Sequence, residues 1–313
     1  MTVPLILDCD PGHDDAFAIL LAAGSPLADL RSITTVGGNG TLRSVTDNAL
    51  RVCTLAGIRD VPVAAGAAGP LRGELHTAAD VHGESGLDGP ELPEADIELD
   101  PRPAVELMAD VLRAASEPVT LVATGPLTNV ALLLESAPDV HELIARIVWM
   151  GGSRGRDNRT PYAEFNAWVD PEAAEIVIAG DVPFTLVGLH LTHQALATPE
   201  IVERIRGVGG LLADVAADWL GYFSSTYRAI WGFDAPLHDP CALAIALDPS
   251  LARFEDAFVA IETDGTWTRG ATVIDPFGRL GREPNAQVAM DLDVDRFWAM
   301  LVAAIGAVGA AAA

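Results

Sequence analysis

The sequence contains no lysine: all 19 of its basic residues are arginines, against 44 acidic residues in a chain of 313. Enzymes that form a Schiff base, bind pyridoxal phosphate or hold phosphates in a P-loop need a lysine amine, so its absence excludes those classes. The formal net charge is −25 at pH 7. Because such a surface repels phosphate backbones and anionic lipid headgroups, neither nucleic acid nor a membrane is an expected partner.

Cysteine is also scarce. Cys9, Cys53 and Cys241 lie far apart, they form no CxxC pair, and the first residues do not have the pattern of a secretory signal. This favours reduced thiols in a soluble, cytoplasmic protein. No apolar run reaches the ~20 residues that span a bilayer, and we expect residues 306–313, which are small and lack a polar anchor, to form a frayed end.

Short β-rich runs alternate with helical patterns along the chain, and no polar or proline-rich linker divides it. The alternation predicts an α/β fold, an open and mostly parallel mixed β-sheet flanked by helices, in a single domain over residues 1–313. The predicted strands are 3–7, 30–36, 61–65, 119–123, 147–150, 184–187, 254–262, 271–274 and 287–290; the predicted helices are one that begins at residue 16 and those at 44–56, 104–115, 127–134, 171–179 and 294–305. Residues 66–101 are too many for an ordinary connection and predict a functional lid.

Four carboxylates, those of Asp8, Asp10, Asp14 and Asp15, fall within eight residues at the end of the first predicted strand. Like charges at this spacing repel one another unless a cation lies among them. The carboxyl ends of parallel strands share the sheet edge where ligands bind, and oxygen ligands suit calcium or magnesium. Since a helix cap needs only one aspartate, the cluster favours a metal or catalytic site over capping alone.

Polar or small residues also follow other predicted strands, as though the strand ends converge on one place. The segments are 37–39, 124–129 and 151–152, with further polar arrays at 82–89, 158–166 and 236–240. Each glycine-rich strand end taken alone is also compatible with ordinary turn chemistry. None is the GxGxxG fingerprint, so a dinucleotide cofactor is not predicted.

In their order and spacing these blocks resemble the inosine-uridine preferring nucleoside hydrolases, from the opening acids to the segment 291–295. The resemblance implies a Rossmann-like nucleoside hydrolase fold and calcium-dependent hydrolysis of the N-glycosidic bond of ribonucleosides to ribose and free base. It also implies a homodimer or homotetramer with a small nucleoside as substrate. It leaves open whether the base is a purine or a pyrimidine.

The resemblance implies a role for each motif residue. The calcium ligands would be Asp10, Asp15, Asp239 and the backbone carbonyl of Thr124, with Asp10 also the general base for the attacking water and Asp8 supporting the site by hydrogen bonds. The residues at the ribose hydroxyls would be Asp14, Asn158, Glu164 and Asn166, with Asn39 beside the reacting centre and Met150 against the sugar. The resemblance also implies His238 as general acid for the leaving base, His82, Tyr227 and Trp231 around the base, and Phe165 as a further substrate-binding residue. Glu164 and Asn166 are also compatible with a solvated loop, Met150 with the core, and a lone histidine with a structural role.

Two positions depart from the commonest opening of that family: Cys9 stands where threonine is usual, and His13 where an aliphatic residue is common. Two other functions also fit part of the pattern. A haloacid-dehalogenase-like phosphatase shares the Asp-x-Asp after a first strand but needs a downstream lysine, which is absent. A non-catalytic nucleoside or ribose sensor would keep the sugar contacts without turnover, and the presence of both Asp10 and His238 disfavours it.

Overall fold

The computed structural model describes residues 2–312, which form one nine-stranded sheet. The strands are β1 (Val3–Cys9), β2 (Ala28–Thr35), β3 (Val63–Ala65), β4 (Val119–Ala123), β5 (Ile144–Met150), β6 (Phe184–Val187), β7 (Ala252–Ile261), β8 (Thr272–Asp275) and β9 (Ala286–Leu292). Their order across the sheet is β3-β2-β1-β4-β5-β6-β9-β7-β8. All neighbours from β3 to β9 pair in parallel, whereas β7 pairs antiparallel with both β9 and β8. The predicted mostly parallel mixed sheet is confirmed.

Helices cover both faces of the sheet. They are α1 (His13–Gly24), α2 (Leu42–Leu55), α3 (Ala79–His82), α4 (Ala104–Ala114), α5 (Thr128–Ser136), α6 (Phe165–Val169), α7 (Pro171–Ile178), α8 (Leu189–Thr192), α9 (Pro199–Arg206), α10 (Leu211–Trp231), α11 (Asp239–Leu247) and α12 (Val294–Ala312). Successive side chains of a strand point to opposite faces. In β1, Leu5 and Leu7 accordingly pack in one apolar core and Ile6 in the other, so this strand is buried on both sides.

The strand order reverses between β1 and β4, because the chain runs outward through β2 and β3 before it returns to β4. Register pairs Asp8 of β1 with Ala123 of β4, so the loops that follow these two strands begin side by side. A reversal of this kind opens a crevice at the carboxyl ends of the strands, where α/β proteins bind ligands. The opening acids and Thr124 therefore meet at the switch point of the sheet.

Between β6 and β7 the structure departs from the sequence analysis, which predicted no element in residues 188–251. Four helices, α8 to α11, fill this segment. Helix α10 has 21 residues, and its buried residues Leu212, Val215, Trp219 and Phe223 recur at the three- and four-residue spacing of an amphipathic helix. That period was present in the sequence, but glycine and serine within the helix obscured it.

The prediction of a frayed carboxyl end from residue 306 is wrong. Helix α12 continues to Ala312, and Ala304, Ile305 and Val308 are buried. The helix packs closely on α1 at Gly24, where an added Cβ would lie 2.1 Å from the carbonyl oxygen of Ala304. Small residues thus serve close helix packing rather than disorder.

Within residues 2–312, one stretch, Val294–Ala311, is long and apolar enough to cross a membrane by length and composition. It is part of α12, and its residues Phe297, Trp298 and Leu301 are buried in the larger apolar core. All three cysteines are buried free thiols, as expected.

Candidate active site

A cleft lined by polar and aromatic side chains lies at the carboxyl edge of the sheet, where α/β proteins bind ligands. Thirteen of the fifteen site residues predicted from the sequence line it: Asp14, Asn39, His82, Thr124, Met150, Asn158, Glu164, Phe165, Asn166, Tyr227, Trp231, His238 and Asp239. The other two, Asp10 and Asp15, are fully buried. Their hydrogen bonds to the cleft residues Asn39 and Thr124 place them directly behind its lining.

Three carboxylates from two distant parts of the chain meet in this cleft. Oxygens of Asp14, Asp15 and Asp239 lie within 4.8 Å of one another, and all three residues are buried. Asp14 and Asp15 come from the first turn of α1, and Asp239 begins α11. Asp14, predicted to bind the sugar, therefore belongs to this group, whereas Asp10, predicted as a metal ligand, is not part of it.

Asp15 is held by four donors. Its Oδ1 accepts hydrogen bonds from the Thr124 hydroxyl at 2.8 Å and the Asp10 amide at 3.3 Å. Its Oδ2 accepts from the Gly12 amide at 3.0 Å and from Asn39 Nδ2 at 3.3 Å. These bonds fix the carboxylate at the first turn of α1 and favour its ionised form.

Asp10 is fixed through only one of its oxygens. Its Oδ2 accepts the backbone N–H of Asn39 at 2.6 Å, and its Oδ1 is buried without a hydrogen-bond partner in the described chain. The side chain lies against glycines of two loops: a Cβ added at Gly38 would meet Oδ2 at 2.1 Å, and one at Gly125 would meet Oδ1 at 2.7 Å. The glycines after β2 and β4 therefore make room for this carboxylate.

Burial removes water from the carboxylates of the cleft, and the described residues do not fully compensate their negative charge. Desolvation, and then the charge of Asp15, raise the pKa of Asp14 to about 8, and the same two causes raise that of Asp10 well above its usual range. For Asp239, burial and then the charge of Asp14 raise the pKa strongly. Asp14 Oδ1, like Asp10 Oδ1, is buried with no partner among residues 2–312. Buried carboxylate oxygens without donors, next to the group formed by Asp14, Asp15 and Asp239, are ligands of the kind that a hard divalent cation prefers.

The carbonyl of Thr124 is aimed by its neighbours. The Thr124 amide donates to the Asp8 carbonyl at 2.8 Å, and the Thr124 carbonyl accepts from Asn166 Nδ2 at 2.8 Å. Asn166 Nδ2 also donates to the Met150 carbonyl at 3.0 Å. Asn166 thus ties together the ends of β4 and β5, and both it and Met150 face the cleft. Asp8 supports this arrangement through its backbone, while its carboxylate accepts from Thr34 and Asn129.

Glu164 acts as the cap of α6. Its two carboxylate oxygens accept the backbone N–H groups of Asn166 at 3.0 Å, Ala167 at 3.2 Å and Gly152 at 2.9 Å. Burial raises its pKa to about 7. The alternative of a solvated loop is wrong for Glu164 and Asn166, which are 3% and 5% exposed. Asn158 joins the segment by accepting the Phe165 amide at 2.9 Å.

An aromatic face of α10 forms one wall of the cleft. Phe223, Tyr227 and Trp231 lie four residues apart on that helix and line the cleft together. Phe223 was not predicted, because the helix was not. The 4-residue spacing to Tyr227 is the signal that would have identified it.

His238 is held between two hydroxyls. Its Nδ1 lies 2.7 Å from the Thr192 hydroxyl, and its Nε2 lies 3.2 Å from the Tyr227 hydroxyl. Burial lowers its pKa well below the usual range. The histidine therefore reaches the cleft together with Tyr227, and the two side chains form a connected polar chain with Thr192.

The predicted lid segment, residues 66–101, does reach the cleft, through α3. Ala78, Asp80 and Val81 line the cleft beside the predicted His82, and Asp80 forms an ion pair with Arg159 at 3.4 Å. The sequence analysis did not assign these residues, or Arg159, although Arg159 lies within the polar array 158–166. The ion pair between Asp80 and Arg159 joins the lid to the segment before α6, and no local sequence pattern predicts this contact.

Comparison with known proteins agrees with this geometry. The family model described as inosine-uridine preferring nucleoside hydrolase matches residues 5–299. The chain belongs to that family. It is 50% identical over 299 residues to proteins named pyrimidine-specific ribonucleoside hydrolase RihA from Escherichia coli and from an Enterobacter strain, covering 95% of this chain and 96% of each relative.

Solved structures show the same relationship. A purine-preferring ribonucleoside hydrolase from Gardnerella vaginalis superposes with a TM-score of 0.91 at 31% identity, over 98% of this chain and 99% of that one. An inosine-guanosine nucleoside hydrolase superposes with a TM-score of 0.87 at 27% identity, over 96% and 98% of the two chains. The chain is thus an enzyme that hydrolyses N-glycosyl bonds, of a metal-dependent family, and its acidic group is able to bind a metal.

Proposed function

We propose that this enzyme hydrolyses pyrimidine ribonucleosides to ribose and free base in the cytoplasm, with calcium as its metal. The observation that carries the reaction is the set of buried, unpartnered carboxylate oxygens beside a cleft lined with amides and aromatic rings. The preference for pyrimidines rests on relatives: those named pyrimidine-specific share 50% identity, and the structure named purine-preferring shares 31%.

Asp10, Asp15, Asp239 and the Thr124 carbonyl would hold the ion, and Asp14 lies close enough to Asp15 and Asp239 to join them. Calcium accepts six to eight oxygen ligands in flexible geometry, which suits carboxylates and a carbonyl drawn from the loops after β1 and β4 and from α1 and α11. The bound ion supplies positive charge that neutralises these acids and increases the acidity of water at the site. No lysine is available in this chain to supply that charge instead.

Asp10 is the general base of the proposed mechanism. Its Oδ1 has no hydrogen-bond partner among the described residues, so it is free to accept a proton from the attacking water. The Asn39 amide holds the other oxygen at 2.6 Å and fixes the carboxylate.

The ribose-binding side is polar and acidic. Asp14, Asn158, Glu164 and Asn166 line the cleft together with Thr124, and we assign them to the sugar hydroxyls. Cleavage of an N-glycosidic bond builds positive charge on the sugar in an oxocarbenium-like transition state. A buried acidic surface stabilises that charge more than it stabilises the neutral nucleoside, which lowers the barrier.

Departure of the base needs a proton. We assign it to His238, with the Tyr227 hydroxyl placed between the imidazole and the base, because His238 Nε2 lies 3.2 Å from that hydroxyl. The burial that lowers the pKa of His238 makes its protonated form a strong acid. Phe223 and Trp231 provide ring faces against which a base stacks.

A homodimer or homotetramer completes the proposal. Large apolar side chains are exposed near β8, where Trp267 is 82%, Phe277 76% and Leu280 57% exposed. Large apolar side chains left exposed on segments that flank one strand are candidates for burial at a protein interface. The partner proposed here is a second copy of the same chain.

The test is release of free base from uridine, cytidine and inosine by the purified protein, with and without a calcium chelator. We expect uridine and cytidine to be cleaved faster than inosine, and the chelator to abolish release. Hydrolysis of p-nitrophenyl phosphate without nucleoside cleavage would support the phosphatase alternative. Binding of uridine without turnover under any condition would support the sensor.

A further inference from the structure

His13, which departs from the common family opening, is a buried residue with contacts to the lid. It is the first residue of α1, and its ring nitrogen Nε2 lies 2.8 Å from the backbone carbonyl of Asp88. The ring stacks on Phe223, with centroids 5.3 Å apart and planes at 11°. His13 does not line the cleft. This buried polar side chain has no role in the proposed reaction.

The same residue also holds His82. The His13 amide donates to His82 Nδ1 at 3.3 Å, and the two imidazole rings are stacked with centroids 5.6 Å apart. The His82 ring packs directly on Gly12, where an added Cβ would lie 2.7 Å from Nδ1. His82 is thus seated on the amino end of α1 by a backbone donor and by the absence of a side chain.

These contacts set the protonation pattern of the pair. A backbone carbonyl only accepts and a backbone N–H only donates. The Asp88 carbonyl therefore places the hydrogen of His13 on Nε2, and the His13 amide requires His82 Nδ1 to act as an acceptor. A neutral His82 then carries its hydrogen on Nε2. That atom has no hydrogen-bond partner within residues 2–312, and His82 lines the cleft.

The lid segment between His82 and Asp88 is held together by hydrogen bonds among its own residues. The Asp88 carboxylate accepts from the amides of Ser85 at 3.1 Å and Glu84 at 3.3 Å. Asn48 of α2 joins this segment to the loop before α1. Its Nδ2 donates to the carbonyls of Pro11 at 3.0 Å and Ser85 at 2.9 Å. Residues 83–88 therefore respond as a unit to the loss of a contact at Asp88.

We propose that His13 is a positioning residue: its side chain fastens the lid to α1 through the Asp88 carbonyl, beside His82, whose Nδ1 the backbone amide of the same residue holds so that its Nε2–H is available to an acceptor atom of the substrate. Only the substrate named in this proposal rests on the proposed function, because the contact between His13 and the lid is a property of the free enzyme. It assigns to His13 an effect on substrate binding, and none on the metal ligands that follow it in α1.

Two variants test the hydrogen bond. His13→Leu fills similar space without a donor, and His13→Gln keeps an N–H able to reach the Asp88 carbonyl. We expect the KM for uridine to rise about tenfold in His13→Leu with kcat changed less than about twofold, and His13→Gln to recover most of the loss. An unchanged KM in the leucine variant, or a glutamine variant as impaired as leucine, would overturn the proposal.

Measurements that do not depend on activity separate this proposal from the proposed function. Amide hydrogen exchange of residues 79–89 should be faster in His13→Leu than in wild type and restored in His13→Gln, while calcium affinity stays within about twofold in all three. Unchanged exchange, or a fall in calcium affinity that parallels the rise in KM, contradicts the fastening role even if no nucleoside is cleaved. If His13→Leu does not fold, His13→Asn, which is too short to reach Asp88, replaces it.

Discussion

The cleft has an acidic floor, Asp10, Asp14, Asp15 and Asp239, and an aromatic wall, Phe223, Tyr227 and Trp231. Of the floor residues, Asp10 follows β1, Asp14 and Asp15 lie in the first turn of α1, and Asp239 begins α11. The wall residues project from α10, a helix that lies outside the sheet. The floor concentrates charge and the wall presents ring faces, so the proposed mechanism gives the chemistry to the floor and the binding of the base to the ring faces of Phe223 and Trp231. Substitutions in the floor should therefore change turnover, and those of the two ring faces should mainly change substrate binding, whereas Tyr227, whose hydroxyl contacts His238, should affect turnover.

The largest effect is expected at Asp10. Asp10→Asn keeps an oxygen that can accept the Asn39 amide but removes the base, so kcat for uridine should fall by about 10²- to 10⁴-fold with a smaller change in KM. Steady-state kinetics at saturating calcium measures both constants. Asp60→Asn, at an exposed surface position, is the control and should match wild type. Unaltered turnover in Asp10→Asn would remove Asp10 from the mechanism.

A smaller effect is expected where wall and floor meet, at Tyr227. Tyr227→Phe removes the hydroxyl beside His238 Nε2 and keeps the ring, so kcat should fall about 10- to 100-fold while KM changes little. In a double variant with His238→Ala, the loss of activation free energy calculated from kcat should be smaller than the sum of the losses in the two single variants, because both substitutions interrupt the same proton path. Fully additive losses would show that the two side chains act separately.

The smallest effect is expected at the outer wall. Trp231→Ala removes a ring face and should raise KM about tenfold with little change in kcat, whereas Trp231→Phe should retain most of the binding. Comparing KM for uridine in the two variants measures the contribution of the aromatic face. A loss of kcat equal to that of Tyr227→Phe would break the division between the floor and the wall.

The sequence predicted most of the floor and only part of the wall, for physical reasons. Four carboxylates within eight residues are a local signal that needs no knowledge of the fold, and the parallel sheet that gathers them follows from alternating strands and helices. Tyr227 and Trp231 were assigned by resemblance. Phe223 was missed because residues on a helix face are recognised only after the helix itself is predicted.

Long-range contacts were the other gap. Asp14 was assigned to the sugar, and only the fold shows that its carboxylate lies within 4.8 Å of Asp239. The ion pair between Asp80 and Arg159 and the contact between His13 and Asp88 join segments about 80 residues apart. Such pairings depend on how loops meet over the sheet, which local patterns do not encode.

We propose that one calcium ion bound among the floor carboxylates makes the enzyme active. The most direct test measures calcium binding and uridine hydrolysis in the same titration of metal-stripped protein. The account predicts one ion bound per chain, with turnover rising in proportion to occupancy, and loss of both in Asp15→Asn. Full turnover before any calcium binds, or binding of calcium with no gain in turnover, would contradict it.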